Sequence, residues 1–100
     1  GRWYNKIEED EEGTWIIEAD ITSLQASEEH VKAARRERDR YPRRIVFFAR
    51  KNWTGDRVYD FYGVYELVDN VGKINIEGEK YDACIWMRVD DRFELPKLSI

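Results

Sequence analysis

Three segments of this chain are dense in β-branched and aromatic residues. They span Arg44–Arg50, Arg57–Val68 and Ala83–Val89, and such residues favour a pleated, partly buried surface. In the second segment apolar residues occur at both odd and even positions, and therefore on both faces of the predicted strand. This pattern is typical of a strand that is covered on both faces or bent between two layers. Gly63 stands at its middle and favours a bulge or sharp bend. These segments predict three strands that hold most of the core.

The residues predicted to be mostly buried are the large apolar ones in these and neighbouring strands: Phe47 or Phe48, Phe61, Val64, Ile85 and Trp15. Weaker patterns predict further strands at Arg2–Ile7, Thr14–Ala19 and Lys73–Glu77. The first two would form a hairpin around Glu8–Glu12, an acidic run predicted to be an exposed turn because adjacent like charges repel one another.

One helix is predicted over Ser27–Arg40. Ser27 is a favourable N-cap, acidic residues follow it in the first turn, and Pro42 pushes the residue before it out of the helical region. Val31 and Ala34 give this helix only a narrow apolar stripe. The predicted fold class is therefore α+β: a strongly bent antiparallel sheet, or a small open β-barrel, of five or six strands with one packed helix.

Composition limits the classes of protein to which the chain can belong. One hundred residues with 38% charged residues and a net charge of −4 predict one domain over residues 1–100. A single cysteine excludes an internal disulfide and suggests no metal framework. No apolar stretch approaches the roughly 18 residues that a membrane helix needs, so a cytoplasmic location without a membrane role is expected. Because the chain begins at Gly1 and its only methionine is Met87, we expect an excised module of a longer protein.

The modest net charge conceals a strong polarity along the chain. The run Glu8–Glu12 carries five negative charges, whereas Lys32–Arg57 contains ten lysines and arginines against three acids. Binding follows the local field, not the mean charge. The basic segment can therefore be a polyanion-binding surface, or simply a solvated face that balances the acidic remainder of the chain.

Trp53 lies in a polar loop at the end of this basic segment, where it is either tucked over the sheet or offered to a ligand for stacking. Arginine dominates the segment, and its planar guanidinium suits phosphate. The candidate nucleic-acid-binding residues are Lys32, Arg35, Arg36, Arg40, Arg43, Arg44, Lys51, Trp53 and Arg57.

No catalytic, metal-binding or cofactor motif accompanies these residues. His30 is predicted to lie on the helix surface beside two glutamates, and Cys84 to lie in the core as a small hydrophobe. The sequence contains no phosphate-binding glycine loop, zinc ligand set or nucleophile elbow. We therefore expect no enzyme activity, no cofactor and no metal.

The order of the segments Arg43–Arg50, Tyr59–Leu67 and Ile85–Val89 resembles a β-rich accessory module of bacterial and phage proteins of the restriction-endonuclease-like and helicase-like kinds. A Tyr-x-Phe-x-Gly strand at Tyr59 and a Trp-x-Arg strand at Trp86 carry the resemblance, which covers about half of the chain. It implies a barrel-like fold, a nucleic-acid-contacting or specificity role, and DNA, RNA and other domains of a parent protein as partners. It implies no particular binding residue.

Two main functions therefore remain open from the sequence, beside a weaker third, a small enzyme with a site assembled from carboxylates. The first is a nucleic-acid-binding accessory module. The alternative is a protein-interaction or structural module that docks through its opposite charge poles, without a role in nucleic-acid binding.

Overall fold

The computed structural model describes residues 1–92, which form six strands and one helix. The elements are β1 (Trp3–Asp10), β2 (Gly13–Asp20), α1 (Leu24–Arg40), β3 (Arg44–Lys51), β4 (Arg57–Leu67), β5 (Gly72–Ile76) and β6 (Glu79–Asp90). All strand pairs are antiparallel, in the order β1-β2-β6-β4-β3, and β5 pairs with the first part of β6. The sheet does not close, so the predicted α+β fold with a bent open sheet is confirmed.

Helix α1 packs on one face of the sheet and begins three residues earlier than predicted. The N-cap is Ser23, whose hydroxyl oxygen accepts a hydrogen bond of 2.9 Å from the Ala26 N–H. Ser27 lies inside the helix and is buried. Its hydroxyl donates to the Leu24 carbonyl and accepts from the Asp82 N–H, which ties the helix to β6. Within residues 1–92, α1 has neither the length nor the apolar run to span a bilayer.

The apolar stripe of α1 covers the centre of the sheet and forms the main core. Val31 and Ala34 from the helix pack with four buried residues of β4 and β6: Tyr65, Leu67, Cys84 and Trp86. Successive residues of a strand point to opposite faces, so Ala83 belongs to a second cluster on the other face, with Ala19 and Ile21. Both faces of β6 are therefore covered.

The predicted core is correct in part. Val64 is buried, and Trp15 and Ile85 are half-buried. Phe47, however, is 53% exposed, and Phe48 and Phe61 are each 37% exposed. The prediction failed for these phenylalanines because β3 is an edge strand: the helix covers β2, β6 and the end of β4, and leaves most of the β3–β4 hairpin uncovered.

The predicted irregularity at Gly63 is confirmed. The register of β4 with β3 shifts between Val46 and Phe47, opposite Gly63. The register of β4 with β6 shifts just after Gly63, between Val64 and Tyr65. Gly63 has a φ of +123°, and a Cβ at this position would lie 2.5 Å from Cδ of Arg88. Glycine here therefore allows both a backbone conformation that other residues rarely adopt and the close approach of Arg88.

We expect Gly63→Ala to lower the free energy of unfolding by about 2 kcal/mol, because the new methyl group strains the backbone and displaces Arg88. Gly78→Ala is the matched control: Gly78 also has a positive φ, but nothing lies within 4 Å of its Cβ position. Urea denaturation of both variants should show the smaller loss for Gly78→Ala. Equal losses of unfolding free energy in the two variants would mean that the Arg88 side chain moves away from the new methyl group without an energetic cost.

Candidate nucleic-acid interface

The β3–β4 hairpin presents apolar and basic side chains on one face. The pairing places Phe47 opposite Phe61, and Ala49 opposite Tyr59. The Phe47 and Phe61 rings lie 5.7 Å apart between centroids, and Tyr59 is 63% exposed. Side chains on one face of a strand recur every second residue, so these rings form a continuous row that we call the aromatic face.

The loop at the tip of this hairpin is held by its own hydrogen bonds. The Asn52 side-chain oxygen accepts from the backbone N–H groups of Thr54 at 3.0 Å and Asp56 at 2.9 Å. The backbone N–H of Asn52 donates to the Asp56 carbonyl, and that of Gly55 to the Asn52 carbonyl. Trp53 is 95% exposed on this ordered loop. Of the two arrangements open from the sequence, the structure has the indole offered to solvent and not tucked over the sheet.

Two cations flank Trp53 and face each other. Lys51 pairs with Arg57 across the hairpin, on the same face as Tyr59. Like charges at directly opposite positions destabilise a hairpin, and neither residue forms an ion pair within the described part of the chain. The neighbouring Arg50, in contrast, contacts Asp60 at 2.5 Å. The tip is therefore a site where an anion would relieve an existing repulsion.

Helix α1 carries a second group of cations. Lys32, Arg36 and Arg40 are all exposed and are spaced four residues apart, so they lie in one row along the helix. We call them the helix row. No ion pair involves any of the three within residues 1–92. They remain available to an external anion.

Two other candidate arginines, Arg35 and Arg43, have partners within the protein, and so does the neighbouring Arg38. Arg35 donates to the Asp69 carbonyl, and Arg38 contacts the Asp69 carboxylate at 2.6 Å. Arg43 contacts Glu66 at 3.1 Å. The candidate cations thus fall into two groups: those without an ion pair among residues 1–92, at the hairpin tip and on the helix row, and those with a partner, of which Arg35 joins α1 to the loop after β4 and Arg43 joins the segment after α1 to β4.

Arg44 belongs to a different environment, the wall of a cavity of about 560 Å³ between the two edges of the sheet. Its guanidinium lies over the Trp86 ring, 4.0 Å from the centroid, and reaches Glu18 at 3.5 Å. The indole N–H of Trp86 is buried and has no hydrogen-bond partner among the described residues. The rest of the lining is mainly apolar: Ile7, Ile16, Val46 and Phe48.

A side-chain hydrogen bond between β4 and β1 also spans the open sheet. The Tyr62 hydroxyl on β4 donates a hydrogen bond to the Glu9 carboxylate on β1. This bond, followed by desolvation, raises the pKa of Tyr62 to about 12, because the carboxylate favours the protonated phenol. Glu9 thus has a partner, whereas the carboxylates of Glu11 and Glu12 lie in the turn of the first hairpin and form no ion pair within residues 1–92.

A second polar cluster was missed by sequence reasoning. His30 Nε2 lies 2.9 Å from Glu18 Oε1, and both lie near the sulfur of Cys84, with the three ligand-type atoms within 4.8 Å of one another. The His30 side chain is only 19% exposed, so its predicted surface position is wrong, whereas the predicted core position of Cys84 is confirmed. Burial raises the pKa of the Cys84 thiol to about 11. The sequence feature that could have predicted this cluster is Glu18, an acidic residue two positions after Ile16 and therefore on the same face of β2, the face that the helix covers.

Comparisons of this chain with family models, curated proteins and solved structures give no match. The contacts, exposure and charges of the described residues are therefore the basis on which a function can be assigned.

Proposed function

We propose that this domain is a nucleic-acid-binding module whose primary contact is the tip and the aromatic face of the β3–β4 hairpin. The observation that carries the proposal is Trp53, which is 95% exposed on a hydrogen-bonded loop between Lys51 and Arg57, two cations that form no ion pair among residues 1–92. Exposing an indole to water is unfavourable, and ordering its loop adds a conformational cost. A stacking ligand with a negative charge beside it would offset both.

Single-stranded DNA or RNA fits this surface better than a duplex. Bases in a duplex are stacked on each other, whereas a single strand can place its bases on exposed rings. Tyr59 and Phe47 offer such rings on one hairpin face, and Trp53 offers another in the loop at the hairpin tip. Lys51 and Arg57 would then meet the phosphates that adjoin the stacked bases.

The helix row adds a second set of phosphate contacts. Lys32, Arg36 and Arg40 lie on the helix that precedes β3, and the chain between Arg40 and Arg44 joins the two elements directly. The local field of the basic segment would attract a polyanion although the chain carries a net charge of −4. The acidic β1–β2 turn would repel the same polyanion, so the two charge poles would orient a strand on the domain.

The resemblance of Arg43–Val89 to accessory modules supplies the context for this proposal. In that context, the domain contributes binding or specificity to a restriction-like or helicase-like protein of bacterial or phage origin, in the cytoplasm, and is not itself an enzyme. An accessory module needs a surface for nucleic acid and no reactive group, and the exposed hairpin meets that requirement.

The proposal predicts a defined salt dependence. Each phosphate neutralised on a single strand contributes about −0.7 to the slope of log K against log salt. Lys51→Gln/Arg57→Gln should therefore weaken binding and reduce that slope by about 1.4. Fluorescence anisotropy with labelled single-stranded DNA and RNA, titrated at several salt concentrations, measures both quantities.

The matched control is Arg2→Gln/Lys80→Gln, which removes the same charge from two exposed residues outside the hairpin and the helix row. It should leave the slope unchanged. If both double variants alter the slope equally, binding follows net charge and the hairpin is not the site. If the unaltered domain binds neither DNA nor RNA, the protein-interaction alternative takes over.

A further inference from the structure

The fold brings the only histidine and the only cysteine of the chain to one point. His30 and Cys84 are the single residues of their types among one hundred. They come from α1 and β6, and Glu18 joins them from β2. Their ligand-type atoms lie within 4.8 Å of one another. We propose that Glu18, His30 and Cys84 form a binding site for a divalent zinc ion.

The donor set suits zinc. Carboxylate oxygen, imidazole nitrogen and thiolate sulfur are the three protein ligand types of zinc. A mixed set that includes a thiolate disfavours magnesium and calcium, which select oxygen ligands. Three protein ligands also match the zinc sites that keep a fourth position open.

The distances are close to those that zinc requires. Zinc–ligand bonds of about 2.0–2.3 Å in a tetrahedron place the ligand atoms about 3.4–3.6 Å apart. His30 Nε2 and Glu18 Oε1 are 2.9 Å apart and must separate slightly, while the most distant pair, at 4.8 Å or less, must approach. The adjustments are on the order of 1 Å, which side-chain rotations can supply without a change in the fold.

The charges of the site balance on binding. Zinc coordination deprotonates a thiol outright, and the proton passes to solvent. The ion, the Cys84 thiolate and the Glu18 carboxylate then sum to zero. The Arg44 guanidinium, now 3.5 Å from Glu18, can hold the second carboxylate oxygen and so orient this ligand from outside the metal.

The fourth coordination position of the zinc ion would face the cavity. Glu18 lines the 560 Å³ cavity together with Asn5 and Arg44, whereas Cys84 is buried beneath the helix. Trp3 covers the histidine from the edge strand, with ring centroids 4.8 Å apart. The metal would thus lie at the inner end of the cavity, with water or a ligand from the cavity as its fourth partner.

Cobalt(II) is the probe that tests the site, since it occupies zinc sites and is coloured. Added to the reduced domain, it should give a sulfur-to-cobalt charge-transfer band and the visible bands of a four-coordinate ion, both removed by zinc. Because the chain has one cysteine, a thiolate-to-cobalt charge-transfer band can arise only from Cys84. Zinc should also raise the melting temperature of the domain.

Three variants each remove one ligand: Cys84→Ala, His30→Gln and Glu18→Gln. Each should lower cobalt affinity by more than about 100-fold, since changes to outer partners alone cost about 10–100-fold. Glu28→Gln, the same change at an exposed position of α1, should have no effect. Far-ultraviolet circular dichroism checks that each variant is folded, and His30→Gln tests the site if Cys84→Ala does not fold. A domain without the charge-transfer band, or one whose band persists in His30→Gln and Glu18→Gln, would overturn the proposal.

Discussion

Replacing Trp86 by alanine is expected to lower the free energy of unfolding by about 3–5 kcal/mol, the range for removal of a buried tryptophan. Trp86 is 7% exposed and lies in the cluster that joins α1 to β4 and β6. Its removal would open a cavity beneath the helix and would also remove the ring under the Arg44 guanidinium. Such a loss is a large part of the stability of a domain of this size. Urea denaturation monitored by circular dichroism measures it.

Phe61→Ala is the matched control. Phe61 is 37% exposed and packs mainly against Phe47 at the surface of the hairpin. We expect this variant to lose only about 1 kcal/mol, the value of one aromatic pair. If Phe61→Ala proved as destabilising as Trp86→Ala, the hairpin would be covered in solution by something that buries it, and the helix side would not be the main core.

The elements of the fold follow from the sequence because they depend on local patterns. Runs of β-branched and aromatic residues predicted the strands, and Gly63 predicted the irregularity between its neighbours. Pro42 fixed the end of the helix. Its start was misplaced because Ser23 and Ser27 both suit an N-cap. Only the contact of Ser27 with the Asp82 N–H, from a strand far along the chain, separates the two serines.

The position of the core could not be predicted in the same way. An alternating pattern indicates which residues share a face, but not which strand lies at the edge of the sheet. Phe47 and Phe48 are large apolar residues typical of a core, and they are exposed because, among residues 1–92, β3 pairs with β4 alone and α1 packs on β6, β2 and β4. The order of strands, which decides burial here, is a property of pairings between distant segments.

The same reason explains which parts of the candidate site were found. Trp53 and its flanking Lys51 and Arg57 are close in sequence, so their grouping could be predicted. The partners of the other arginines could not, since Asp69 lies more than thirty residues from Arg35 and Arg38. The proximity of Glu18, His30 and Cys84 could likewise not be predicted from the sequence, because each residue belongs to a different element.

The exposed indole at the hairpin tip leads to the largest expected effect on binding. Trp53→Ala should weaken binding to single-stranded nucleic acid by about 5–150-fold, since stacking on one aromatic ring contributes about 1–3 kcal/mol per base. Stacking releases no counterions, so the slope of log K against log salt should stay as in the unaltered domain. The melting temperature should also stay unchanged, because Trp53 is 95% exposed and has no packing to lose.

Two further variants separate stacking from a general loss of apolar surface. Trp53→Phe keeps a ring at the tip and should recover part of the affinity. Trp3→Ala removes another exposed indole, on the edge strand β1 outside the hairpin, and should leave binding unchanged. Anisotropy titrations of all three variants at one low and one high salt concentration provide the comparison. A Trp53→Ala variant that binds as tightly as the unaltered domain would show that phosphate contacts alone hold the strand, because the most exposed aromatic ring among residues 1–92 would then carry no base.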